Sequence, residues 1–316
     1  MKKYVFSIIM SMISLTVLSQ NTVYSPQNKF YSDNLYASAV AGDARAQYTL
    51  GECYMKGRGV AVNEEMGVYW YAKAASQNYP LAQYFLGECY MKGKGVNVNE
   101  NMAISLYNKA LNNGLYEAYI GLANYYNRIK DYANAVICHK GYLKYDTSSP
   151  LAAAAFHNLG DCYYYGNGIQ QDYAKAFDCF IKASNLNDYN AVYRVGEMYY
   201  SGKYVQQDYK KAFEYLDKAA SHNVARALYM IGMEYYKGGY YTKDWRKAAN
   251  SFTSVLKDKY IPDGIRGDVC NKLSICYRYG RNGIEQNEEL SNYYSVEAQK
   301  YGNPDASKIQ EWLRTN

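Results

Sequence analysis

Seven tyrosines, Tyr54, Tyr90, Tyr126, Tyr163, Tyr199, Tyr235 and Tyr277, recur along the chain at intervals of 36, 36, 37, 36, 36 and 42 residues. Self-similarity at such a period constrains a fold strongly. Each period must be one supersecondary unit that buries its apolar face only against its neighbours. Three residues before each tyrosine stands a small anchor residue: Gly51, Gly87, Ala123, Gly160, Gly196, Gly232 and Ser274. Five residues before the anchor stand Ala46, Ala82, Ala118, Ala155, Ala191 and Ala227, with Val269 closing the series.

The rest of each unit repeats as well. Gly57, Gly93, Gly166, Gly202, Gly238 and Gly280 are placed to stop a first helix, since glycine tolerates left-handed backbone angles. A second helix is predicted to start at Asn63, Asn99, Asp131, Asp172, Asp208, Asp244 and Asn287, all residue types that cap helix N-termini. Four residues later the chain returns to a small residue: Gly67, Ala103, Ala135, Ala176, Ala212, Ala248 and Ser291. Aromatic and alanine positions then follow at helical spacing, as in WYAKAA from Trp70 and YLDKAA from Tyr215. Only 5 prolines interrupt the chain, which suits long helices. The expected fold is a stack of helix hairpins, with small residues letting backbones approach and tyrosines filling the gaps.

This pattern (alanine, a leucine–glycine pair, tyrosine, a glycine-rich turn, an Asp/Asn cap, then KAA) resembles the Sel1-like repeat, a longer relative of the tetratricopeptide repeat. The resemblance runs from about Leu35 to the C-terminus. It implies an all-α fold: an α-solenoid, a right-handed superhelix of about seven hairpins with partial capping helices. The third unit departs from it. The loop between Tyr126 and Asp131 is four residues shorter, and NRIKDYANA resembles a true tetratricopeptide hairpin. Units six and seven are separated by a stretch with Pro262 and Gly264 that reads as irregular. LYASAVAGDARAQ, from Leu35, reads as a partial N-terminal cap, and NPDASKIQEWLRTN, from Asn303, as a closing helix.

The first residues, MKKYVFSIIMSMISLTVLSQ, have the layout of a secretory signal peptide: two lysines, an apolar stretch from Val5 to Leu18, then Ser19. The expected organisation is a signal peptide over 1–19, a linker over 20–34 and one repeat array over 35–316. The apolar run of about 14 residues is short of the ~20 a helix needs to cross a bilayer. No cysteine follows it to carry a lipid, and no later stretch is apolar enough to span a membrane. An exported protein, periplasmic or extracellular, is the expectation. The formal charge of +6 falls to about +4 without Lys2 and Lys3 and is spread over the chain, so nucleic acid is not an expected partner.

Candidate chemistry is sparse. Cys53, Cys89, Cys162 and Cys276 share the position two residues after the anchor, where Met198 also stands, so they read as packed core thiols. A Cys53–Cys89 bridge is disfavoured, because stacked hairpins hold equivalent positions about 9 Å apart. Cys162 and Cys179, on the two helices of one hairpin, remain an open pair. The cysteine pairs that staple each repeat of some exported Sel1-like proteins are absent. His139, His157 and His222 fall in different units without ligand spacing, so no metal or other cofactor is expected. Cys138 beside His139 is a weak nucleophile pair, since adjacent helical residues point apart. SDN at Ser32–Asn34 and SVLK at Ser254–Lys257 match penicillin-binding motifs only in fragments and in reversed order, with Ser254 expected to be buried. KGRG and KGKG lie between two helices and lack a phosphate loop's spacing.

The remaining candidate is a groove. In tetratricopeptide-type hairpins the first helix lines the concave side. The corresponding positions are Tyr48, Glu52, Met55 and Lys56; Tyr84, Glu88, Met91 and Lys92; Asp161 and Tyr164; Tyr193, Glu197 and Tyr200; and Tyr229 and Tyr236. Helical spacing puts them on one face, giving a ladder of aromatics and methionines flanked by charges, as peptide-binding surfaces use. The expectation is a non-enzymatic adaptor holding a protein or peptide partner. The competing readings are a carbohydrate binder, with sugars stacked on tyrosine faces, and an envelope enzyme or ligand binder acting on peptidoglycan or a β-lactam. The alternative to any groove is that the tyrosines only pack hairpin against hairpin.

Overall fold

The computed structural model describes residues 31–302 of the 316-residue chain. The expected signal peptide, most of the linker and the closing helix from Asn303 lie outside the described residues. Among those described, every regular element is a helix: α1 (Asp33–Val40), α2 (Ala44–Lys56), α3 (Glu64–Ser76), α4 (Pro80–Lys92), α5 (Glu100–Asn112), α6 (Ala118–Arg128), α7 (Tyr132–Tyr142), α8 (Pro150–Tyr165), α9 (Tyr173–Asn185), α10 (Tyr189–Ser201), α11 (Tyr209–Ser221), α12 (Ala225–Lys237), α13 (Trp245–Val255), α14 (Asp263–Tyr279) and α15 (Glu288–Tyr301). From α2 onward they pair as seven hairpins, the expected all-α solenoid. None is long and apolar enough to cross a membrane.

Residue type explains where these helices start and stop. All seven expected caps hold the start of a second helix. The side-chain oxygens of Asn63, Asn99, Asp131, Asp172, Asp208, Asp244 and Asn287 each accept the backbone N–H three residues on, at 2.9–3.2 Å. The backbone N–H of each cap also donates to the carbonyl of the recurring tyrosine of its own hairpin, from Asn63 to Tyr54 (3.0 Å) through Asn287 to Tyr277 (2.9 Å). This clasp closes every hairpin, including the third with its short loop, where Asp131 donates to Tyr126. First helices end where Gly57 and Gly93 turn left-handed, at φ 66° and 68°, and donate back to the Cys53 and Cys89 carbonyls. Loss of the Cβ penalty is what allows that turn.

One expectation is corrected. The stretch around Pro262 and Gly264 is not irregular throughout. Pro262 caps α14, and Gly264 lies within its first turn. Proline's fixed φ suits a helix start, and a 17-residue helix can carry one glycine there.

The chain divides into two compact units at Leu122/Ala123, within α6. In the first, α1 lays Ala39, Leu35 and Tyr36 against Leu50, Tyr54 and Trp70 and so covers α2. A second cluster joins Tyr71, Ala74 and Val68 of α3 to Ala82, Leu86 and Cys89 of α4. In the second unit, Val192, Tyr193, Phe213, Leu216 and Ile231 form one core, and Tyr229, Phe252, Ile265, Val269 and Leu273 another. The anchor residues let the paired helices meet. A methyl group on Gly51 would stand 2.6 Å from the Tyr71 ring, and one on Gly160 2.6 Å from the Phe180 ring. Close approach across these positions is what lets the rings bury, each worth about 2–3 kcal/mol.

Candidate functional site

In the first unit the first-helix face carries a repeated charged and aromatic strip. Glu52 pairs with Lys56 one turn on, and Arg58 Nη1 stands 3.9 Å from the same carboxylate. Glu88 pairs with Lys92, and the Tyr107 hydroxyl donates to Glu88 Oε1 at 2.5 Å. Tyr48 is half-buried, stacked on Tyr71 (5.7 Å) and close to Tyr79 and Phe85. Burial first, then the Glu52 charge, pushes its hydroxyl pKa up to about 12. Tyr84, also half-buried, lies between Phe85 and Tyr107. Lys56 and Lys92 remain exposed, and Met55 and Met91 half-exposed.

The second unit treats the same positions differently. Tyr164, Tyr193 and Tyr229, expected on the groove, are buried at 4%, 0% and 4% exposure. Each is absorbed by the next hairpin. The Tyr164 hydroxyl accepts from Lys203 Nζ at 2.8 Å, and the Tyr229 hydroxyl donates to Asp268 Oδ2 at 3.0 Å. Tyr193 packs in the core with Phe213 of its own hairpin and Ala227 and Ile231 of the next. Tyr200 and Tyr236 stay half-exposed. Tyr200 donates to Glu234 Oε1 (3.0 Å), and Tyr236 stacks on Trp245 (5.6 Å). Only part of the expected ladder therefore reaches solvent, because Lys203, Asp268 and the Val192/Phe213/Ile231 core take up the rest.

Asp161 and Glu197 belong to a cluster that sequence reasoning missed. Arg194, fully buried, donates from Nη1 to Glu197 Oε2 (3.0 Å) and from Nη2 to Asp161 Oδ2 (3.4 Å), with its Nε 3.0 Å from Asp161 Oδ1 as an ion pair. His157 Nδ1 stands 3.2 Å from Asp188 Oδ2, and its Nε2 3.7 Å from Asp161. Arg226, on α12, is buried beside them. Nothing local signals this. The same position carries Arg45 in the first hairpin, where it is exposed, and burial at Arg226 comes from neighbouring hairpins.

Other candidates resolve simply. All seven cysteines are free and buried, Cys162 and Cys179 included. Burial raises the Cys138 thiol to about 11 and lowers the His139 imidazole to about 4. Both shifts oppose a thiolate–imidazolium pair. Ser32 of the SDN match caps α1 by accepting from Leu35 N–H (3.1 Å). Ser254, expected to be buried, is half-buried on α13 in the other unit. Among the described residues no group of three His, Cys, Asp or Glu side chains is placed to hold a metal ion.

A Sel1 repeat family model matches residues 44–79, 80–115, 153–188, 190–224, 225–250 and 267–298. The third hairpin falls between these matches. Among solved structures, a Sel1 repeat protein from Oxalobacter formigenes is similar at 26% identity and TM-score 0.69, over 88% of this chain and 78% of that one. A protective antigen present in uropathogenic Escherichia coli strains, displaying an SLR fold, is similar at 21% identity and TM-score 0.64, over 84% of this chain. The chain spans 62% of that antigen, and the likeness shows the fold alone. No curated protein sequence matches the chain.

Proposed function

This chain belongs to the Sel1 repeat family, and from that premise we propose that it is an exported, non-catalytic scaffold that docks a protein or peptide in a concave groove. The carrying observation is the strip of the first unit. Tyr48, Glu52 and Lys56 recur as Tyr84, Glu88 and Lys92 at the same positions of successive hairpins, pinned yet still open to solvent. Side chains fixed in advance lose little entropy on binding, and aromatic rings with ordered charges give a peptide both area and register. Interleaved charge also favours a peptide over a neutral sugar. The leader-like first residues support export of such a scaffold.

The test follows the accessible positions, because alanine at the buried Tyr193 or Tyr229 would remove core packing and cost the fold about 3–5 kcal/mol. Lys56→Glu, Lys92→Glu and Tyr84→Ala are combined in the full chain, with folding followed by circular dichroism. Partner capture from envelope and secreted fractions, read by mass spectrometry, should lose the proteins that the unaltered chain retains. Unchanged capture by a folded variant would sink the reading.

A further inference from the structure

We infer that Arg226 is the receiving group of a carboxylate-binding site built into the second unit between α8, α10 and α12. Its side chain is buried at 4% exposure, yet Nη1 and Nη2 have no hydrogen-bond partner. Each nearby acid already has an ion-pair partner, although Asp161 Oδ1 accepts no hydrogen bond. Arg194 holds Asp161 and Glu197, and His157 holds Asp188. Both guanidinium groups lie beside the ring of Tyr193, at 5.7 Å for Arg226 and 5.8 Å for Arg194. The Tyr193 hydroxyl is buried there without a partner as well.

A guanidinium does not deprotonate at accessible pH, so the charge stays. Arg194, carrying the same charge, makes its burial worse rather than better. Water could accept from the open Nη groups but would bring no charge to pair directly with the guanidinium. What Arg226 lacks is an acceptor of its own: the cluster's three carboxylates pair with Arg194 and His157, and none accepts from its Nη groups. The planar fork of two Nη groups fits a carboxylate bidentately. Asp161 and Glu197, held alongside, would repel a dianionic phosphate more strongly than a monoanion. Those two side chains keep 27% and 18% exposure, so the cluster reaches solvent through them. The source of the carboxylate, a partner peptide, rests on the docking reading above; the site itself does not.

Thermal melting and titration calorimetry of the full chain test this with sodium acetate, inorganic phosphate and three acetylated alanine peptides. One peptide has a free C-terminal carboxylate, one a C-terminal amide, and one an amide with a central glutamate. Acetate and at least one carboxylate peptide should bind and stabilise the unaltered chain, the amide without glutamate should not, and phosphate should act more weakly. Binding through the free terminus or through the glutamate identifies the source. Arg226→Met should abolish the response. Arg226→Lys, which keeps the charge but loses the fork, should weaken it about tenfold or more. Should Arg226→Met not fold, Arg226→Lys and Tyr193→Phe decide. The site is overturned if no carboxylate probe binds, if phosphate acts as strongly as acetate, or if the Arg226 variants respond like the parent. Loss of carboxylate binding in Arg226→Lys, with partner capture indifferent to the Lys56/Lys92/Tyr84 variant, removes the docking reading and leaves this site. The reverse pattern removes this site and leaves the docking reading.

Discussion

At the scale of single residues, His139 shows what burial costs a titratable group. It is 1% exposed, with Nε2 3.4 Å from Asn127 Nδ2 and Nδ1 buried without a partner. Burial therefore lowers its pKa from 6.5 to about 4. The unfolded chain binds a proton in that window and the folded chain does not, so stability falls as pH drops from about 6.5 toward 4. Urea unfolding at pH 7 and pH 5 should show a loss of about 2 kcal/mol from this group. His139→Gln, which keeps a polar partner for Asn127 but does not titrate, should remove that part of the loss. An unchanged pH slope in the variant would contradict the assignment. This residue also marks how far the sequence can be read. Caps and turn glycines were legible, because the backbone makes the same local demand of them in every copy. The burial of His139, Tyr193 and Arg226 was not, because it is decided by side chains arriving from other elements. Arg45 and Arg226 make the point: one residue type, one register position, opposite surroundings.

At the scale of the hairpin, the loop between the two helices touches the hairpin before it. Gly95, at φ 66°, lies so close to the start of α3 that a methyl group would run into the Glu64 carbonyl. Gly168, at φ 68°, meets the backbone of Tyr132 at the start of α7 in the same way. Gly95→Ala combines that clash with left-handed strain and should destabilise the protein by more than about 1 kcal/mol, measured by chemical denaturation. The loop of the fifth hairpin carries Tyr204 where the first, second and fourth carry Gly59, Gly95 and Gly168, still at φ 67°. Its ring is exposed and lies against Phe177 at 5.8 Å. Tyr204→Gly should raise stability by up to about 1 kcal/mol, the relieved strain outweighing the lost ring contact. A fall in stability would mean that the Phe177 contact matters more than the backbone. The repeat pattern exposed these loops as turns, but their role as hairpin-to-hairpin contacts needed three dimensions.

Over the whole molecule, stability is distributed along the array, since each core cluster draws on neighbouring helices. Phe252, fully buried between α12, α13 and α14, is a local keystone, and Phe252→Ala should cost about 3–5 kcal/mol. Hydrogen exchange on the intact variant should show lost protection in α12–α15 and none in α2–α4; uniform loss along the chain would refute nearest-neighbour stabilisation. The backbone clasp carries a separate consequence. The cap lies nine residues after the tyrosine in five hairpins, five after it in the third (Tyr126/Asp131) and ten in the seventh (Tyr277/Asn287), and the same bond forms in all. The clasp thus forms across loops of different length, and closure asks nothing of the tyrosine side chain. A foreign segment spliced after the contact glycine and before the cap, at residues 97–98 for example, would leave both the Gly95 contact and the Asn99 clasp in place, so different hairpins of one chain could each carry a different epitope.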